Sequence, residues 1–196
     1  MPENRAVTLF LVRHGQAASV PAGLVSSLPE GAHVRSLTPD GEAQIRATAD
    51  ALKSEGISLI IASPLKRTQE SAEILSAVWG ARIVNDIRLR ETDFGTYNGL
   101  PVAEYFAHYP SPESRRTAAQ GQDGVENFAN QEERAASFLR DVAAECAGQT
   151  VAVVSHGDTL VALYQVLSLQ GAEGTDPDEY WSPAVGTFRK VILSVG

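Results

Sequence analysis

Two apolar runs in this chain end in the same dipeptide: His14-Gly15 follows Thr8-Leu9-Phe10-Leu11-Val12-Arg13, and His156-Gly157 follows Thr150-Val151-Ala152-Val153-Val154-Ser155. A neutral imidazole nitrogen can attack phosphorus, and a second imidazole can steady the charge that develops. Arg13 adjoins His14. Arg67 falls in the first turn of a helix announced by the cap-then-proline pair Ser63-Pro64, where backbone N–H groups and the helix dipole favour an anion. Two guanidinium forks, two imidazoles and a helix N-terminus suit a dianionic phosphoryl group, whose charge is spread over several oxygens. Displacing an ester from it leaves an alkoxide that needs a proton. Glu91, in the aperiodic stretch Leu89-Arg90-Glu91-Thr92-Asp93-Phe94-Gly95, is assigned that role, with Asp86, Asp93 and Glu104 as neighbouring competitors.

These residues need a frame that brings strand ends together. The unbroken apolar runs Thr8 to Val12, Leu59 to Ala62 and Thr150 to Val154 have the pattern of strands covered on both faces. Ile83-Val84 is a shorter third strand candidate, and a last strand is expected near Phe188 to Val195. Between them, Thr38-Pro39-Asp40-Gly41-Glu42 opens a helix with the stripe Ile45, Ala49, Leu52 and a stop at Gly56. The helix after Ser63-Pro64 carries Ala72, Leu75 and Val78, and a third presents Ala135, Phe138, Leu139, Val142 and Cys146 on one face. Strands alternating with helices give an α/β fold: a single-domain three-layer sandwich with a mostly parallel central sheet and helices on both faces. In such sheets ligands bind beyond the carboxyl ends of the strands, so both His-Gly endings should share one crevice.

At 196 residues the chain is long enough for one sizeable core. Its net charge of −8 argues against a broad basic face for nucleic acid. The single cysteine, Cys146, excludes an internal disulfide and any cysteine-rich metal motif. No run reaches the roughly 20 apolar residues a membrane span needs. A cytoplasmic enzyme is therefore expected, without nucleic-acid or membrane partners and with a homodimer left open. The bland alternatives treat His14 and His156 as ordinary loop histidines and Arg67 as a solvated helix residue. Arg88, Arg90, Arg115 and Arg116 read as surface charges, and His33 and His108 as solvated. His14, His156 and Glu91 also form a set that binds zinc in other enzymes, although Arg13 and Arg67 beside a dication argue against it.

Leu11-Val12-Arg13-His14-Gly15 closely resembles the signature of the histidine phosphatase (phosphoglycerate-mutase-like) superfamily. Leu37 to Gln44, Ala62 to Thr68 and Val154-Ser155-His156-Gly157 are similar to its later motifs in order, and Glu91 with Phe94-Gly95 and Gly99 is similar to the segment supplying its acid. The resemblance implies one such domain over 1–196, with Arg13, His14, Arg67 and His156 as the phosphate pocket, His14 as nucleophile and Glu91 as proton donor. Gln16 and Gly157 join the expected substrate-binding residues. It further implies catalysis without a metal or cofactor on a small phosphorylated metabolite. The chain departs from the pattern after Gly15, where Gln16-Ala17-Ala18-Ser19 lacks an asparagine many members carry, and Gly124-Val125-Glu126-Asn127 is only loosely similar to a Gly-Glu-Ser motif of the mutases. The loop-rich, substrate-facing segment near 97–127 lacks the longer basic loop of mutases, which favours a phosphatase over a phosphoryl transferase.

Overall fold

Every strand read from the sequence forms. β1 (Val7–Arg13), β2 (Leu59–Ala62), β3 (Arg82–Asn85) and β4 (Thr150–Ser155) run parallel, and β5 (Phe188–Leu193) lies antiparallel against β1, giving the order β3-β2-β4-β1-β5. The computed structural model describes residues 6–19, 22–27, 37–111, 114 and 123–195. His33, Arg115, Arg116 and most of the stretch Pro110 to Gln122 lie outside the described residues.

Period-two alternation sorts the strand side chains between two cores. Leu9, Leu11, Val151 and Val153 pack with Phe138, Leu139 and Val142 of α4 (Phe128–Glu145) and with Leu160 and Leu163 of α5 (Gly157–Leu169). Phe10, Val12, Ile60, Ala152 and Val154 face the other way, against Ile45, Ala49 and Leu52 of α1 (Pro39–Leu52) and Ala72 and Leu75 of α2 (Lys66–Trp79). Burying each such Leu or Val contributes about 1.5–3 kcal/mol. A third cluster of Val25, Phe94, Tyr97, Tyr105, Tyr109 and Val125, partly carried by α3 (Val102–His108), is separate from both cores.

Register aligns the chemistry. Arg13 pairs with Ser155 and Ala62 with Val154, so the residues that follow, His14, His156 and Ser63, emerge side by side at one edge of the sheet. His14 N–H donates to the Ser155 carbonyl at 3.1 Å and Ser63 N–H to that of Val154 at 3.0 Å, carrying the sheet's bonding one step past the strands. The helix starts explain why each motif has its residues. Thr38 caps α1 by accepting from Gly41 N at 3.0 Å, with Pro39 at the first position. A Cβ on Gly15 would lie 2.2 Å from the Gly41 carbonyl oxygen, and one on Gly41 would lie 2.1 Å from that of Gln16, so both positions exclude any side chain where α1 meets the end of β1.

Three readings need correction. The second helix begins at Lys66 with Leu65, which has no polar side chain, at its cap position; the Ser63 hydroxyl, two residues earlier, accepts from Leu65 N at 3.3 Å and lies 2.8 Å from His156 Nε2. Val78 is 47% exposed, one turn past Leu75, the last buried residue of α2. Arg88 and Arg90 are not free surface charges: Arg88 is paired with Asp86 at 2.7 Å and Asp141 at 2.6 Å, and Arg90 with Glu126 at 3.1 Å.

Candidate active site

Arg13, His14, Arg67, Glu91 and Gly157 all line one cavity of about 340 Å³ at the carboxyl edge of the sheet. His156 is fully buried beneath it, its ring centroid 5.1 Å from that of His14. Gln16 does not line the cavity; its Oε1 accepts from the Thr38 hydroxyl at 2.9 Å, tying the loop to the start of α1. On the side where no asparagine is present, Ser19 and Ser26 line the wall.

Hydrogen bonds fix both tautomers. His14 Nδ1 lies 2.7 Å from the Gly15 carbonyl, which can only accept, so Nδ1 carries the proton and Nε2 keeps its lone pair. Arg67 Nε–H donates to His14 Nε2 and to His156 Nδ1, both at 3.1 Å. His156 Nε2–H is left to donate to Ser63 Oγ. Arg67 Nη2 is anchored on the Ser26 carbonyl at 2.9 Å, and Arg13 Nη1 on the Pro183 carbonyl at 2.7 Å. A Cβ on Gly157 would come within 3.3 Å of the Arg13 guanidinium carbon, so the glycine leaves that guanidinium room beside the first turn of α5. Arg13 Nε is buried with no partner among the described residues.

Electrostatics separate the two ends of the cavity. Burial, then Arg67 and Arg13, hold His14 well below its ordinary value of 6.5, so it is neutral near pH 7. Burial, Arg67 and His14 do the same to His156. Burial and then the Asp158 carboxylate push Glu91 above 4.5, outweighing Arg67, the Thr92 N–H that its Oε1 accepts at 2.9 Å, and Arg13. Asp158, which also lines the cavity, is therefore the carboxyl that competes with Glu91, and it had no signal in the sequence beyond following His156-Gly157. Asp86 is absorbed by Arg88, Asp93 accepts from Gly95 N at 2.9 Å in an exposed turn, and Glu104 is exposed on α3. The zinc reading fares poorly because two guanidinium cations, Arg13 and Arg67, line the same cavity as His14 and Glu91 and would stand beside the dication.

The raised Glu91 value carries a stability prediction. Relative to a neutral residue, a group whose folded pKa lies above its unfolded one costs nothing below the unfolded value and destabilises as pH rises through the folded value. Glu91→Gln should match the wild type at pH 4 and gain about 2–4 °C in Tm at pH 8, read by differential scanning calorimetry. An equal Tm difference at both values would mean that Glu91 is not held protonated by its surroundings.

The family model for the histidine phosphatase superfamily (branch 1) matches residues 9–194. The chain belongs to this superfamily. The histidine phosphatase is 31% identical over 180 residues to phosphoserine phosphatase 1 of Hydrogenobacter thermophilus, covering 90% of this chain and 81% of that one. It is 30% identical over 167 residues to a probable phosphoglycerate mutase of Yersinia enterocolitica, covering 81% and 74%. Among solved structures it is similar to the mycobacterial glucosyl-3-phosphoglycerate phosphatase, at 27% identity and a TM-score of 0.68 over 83% of this chain and 80% of that one. It is thus an enzyme of phosphate-ester hydrolysis or phosphoryl transfer. No helix among the described residues is long and apolar enough to cross a membrane.

Proposed function

We propose that this histidine phosphatase hydrolyses phosphomonoesters of small metabolites through a covalent phosphohistidine on His14. Arg13, Arg67 and the first turn of α5 at Gly157 hold the phosphoryl group, with His156 behind Arg67 as charge stabiliser, and Glu91 is the proton donor. The observation that carries this reading is the bonding of His14: its Nδ1–H is pinned to the Gly15 carbonyl while Nε2, unprotonated, lies against Arg67. In the first step Nε2 attacks phosphorus as the ester P–O bond breaks, and the departing alkoxide takes the Glu91 proton. In the second, water attacks phosphorus, gives its proton to the Glu91 carboxylate and displaces His14, releasing inorganic phosphate. Neither step needs a cofactor.

A mutase-type transferase shares the phosphoenzyme and is favoured by the phosphoglycerate mutase relative. The hydrolase is preferred because the wall facing the phosphate pocket includes Leu24, Val25, Phe94, Val102 and Phe106, with Tyr105 beside them, which is poor ground for re-docking a strongly anionic sugar acid. A cytoplasmic setting suits a chain whose one thiol, Cys146, is buried and free.

The test is release of inorganic phosphate from a phosphomonoester with no acceptor present, stoichiometric with the alcohol. Vanadate and phosphate should compete with substrate, and Arg67→Ala should weaken both by about 10²-fold while leaving the circular dichroism spectrum unchanged. An active preparation indifferent to millimolar vanadate would remove the phosphate pocket as assigned.

A further inference from the structure

Glu126 and Arg134 face each other with side chains only 7% and 9% exposed, and neither lines the cavity. The contact is a bidentate fork, Nε to Oε1 at 2.8 Å and Nη2 to Oε2 at 3.1 Å, and the arginines hold the Glu126 carboxyl below its ordinary value against the opposing effect of burial. Burying such a pair adds little stability on balance, because desolvation offsets the attraction. What the pair does hold is the backbone on both sides of Glu91. Arg134 Nη1 donates to the Arg88 carbonyl, and Glu126 Oε2 accepts from Asp93 N at 3.3 Å. Thr159, which accepts from Arg134 Nη2 at 3.2 Å, donates to the Arg90 carbonyl at 2.6 Å. Gln131, one turn before Arg134 on α4, donates to the Thr92 hydroxyl, which in turn donates to Asp158 at 3.0 Å. Residues 88, 90, 92 and 93 are thus tied down around the one residue that reaches the cavity.

We infer that Glu126 and Arg134 are positioning residues that fix the Glu91 carboxyl at the leaving-group end of the cavity. The inference rests on the reading of Glu91 as proton donor. It requires no contact with substrate, and it gives the loosely matched segment Gly124 to Asn127 a role. A general acid displaced by a fraction of an ångström loses most where the leaving oxygen is most basic.

The experiment compares kcat/KM for an alkyl phosphate and for nitrophenyl phosphate in wild type, Glu91→Gln, Glu126→Gln, Arg134→Lys and the Glu91→Gln/Glu126→Gln double variant. Glu126→Gln should lower the alkyl-to-nitrophenyl ratio by about tenfold, Arg134→Lys should do so less, and the double variant should have the ratio of Glu91→Gln alone. Equal losses on both substrates, or a ratio in the double variant lowered by both changes in full, would overturn the inference and leave Glu126 a purely structural residue. If Glu126→Gln does not fold, Arg134→Lys and Arg90→Met, which removes the more exposed arm on Glu126, carry the same comparison. A ratio unchanged by Glu91→Gln itself would instead bring down the assignment of the acid. A ratio moved by Glu91→Gln but by neither Glu126→Gln nor Arg134→Lys would bring down only the clamp.

Discussion

His14→Ala should lower turnover of every phosphomonoester by about 10⁴–10⁶-fold while the protein keeps its folded circular dichroism spectrum. The size follows from the geometry. Both imidazole lone pairs face Arg67 Nε–H, but His14 is the member of the pair that lines the cavity, whereas His156 is fully buried with its Nε2–H on Ser63. Neither Ser63 nor Cys146 can replace it: Ser63 is fully buried against His156, and Cys146 lies in the core at the end of α4. Loss of less than about tenfold would mean that the reaction does not pass through His14.

Glu91→Gln keeps the size of the side chain and removes the proton. It should slow hydrolysis of an alkyl phosphate by about 10²–10⁴-fold where phosphoenzyme formation limits, and of nitrophenyl phosphate far less. Asp93→Asn and Glu104→Gln should leave the ratio of the two substrates at the wild-type value. The pH profile adds an independent check. The active form has His14 neutral and Glu91 protonated, and with ordinary values of 6.5 and 4.5 that combination would be a minority at every pH. Lowering the first and raising the second enlarges the share of this form. Activity on the alkyl phosphate should fall on the alkaline side as Glu91 ionises, and Asp158→Asn, which removes a neighbouring negative charge, should move that limb to lower pH. A limb unmoved by Asp158→Asn would deny the coupling between the two carboxyls. Equal slowing of both substrates by Glu91→Gln would make the residue structural or confine it to the water step.

The parts of this molecule that could be read from sequence are those whose physics is local. Both strands that end in His-Gly are runs of buried apolar residues, and their parallel register follows once α/β alternation is recognised, so His14 and His156 could be placed together without coordinates. Thr38-Pro39 and Gly41 signal a helix start through capping and close approach, both set within a few residues. The Ser63-Pro64 signal misplaced the start of α2: Ser63 N–H still bonds to the sheet at the Val154 carbonyl, and its hydroxyl faces both Leu65 N and His156, 93 residues away. The anchors of Arg13 on Pro183 and Arg67 on Ser26 are backbone carbonyls, which carry no side-chain signature at all. Arg134 looks like any solvated helix arginine until Glu126 is brought opposite it. The cluster of Val25, Phe94, Tyr97, Tyr105 and Tyr109 escapes notice because loops supply much of it and no helical or strand period announces it.

The central claim is that the phosphoryl group rests on His14 between two chemical steps, and acid-labile, alkali-stable label trapped by rapid denaturation during turnover measures this directly. Wild-type protein mixed with a ³²P-labelled phosphomonoester and quenched in alkali should carry label on a single peptide containing His14. His156→Asn should still be labelled, and His14→Ala should carry none. Label that survives in His14→Ala, or that maps to any other residue, would contradict the account.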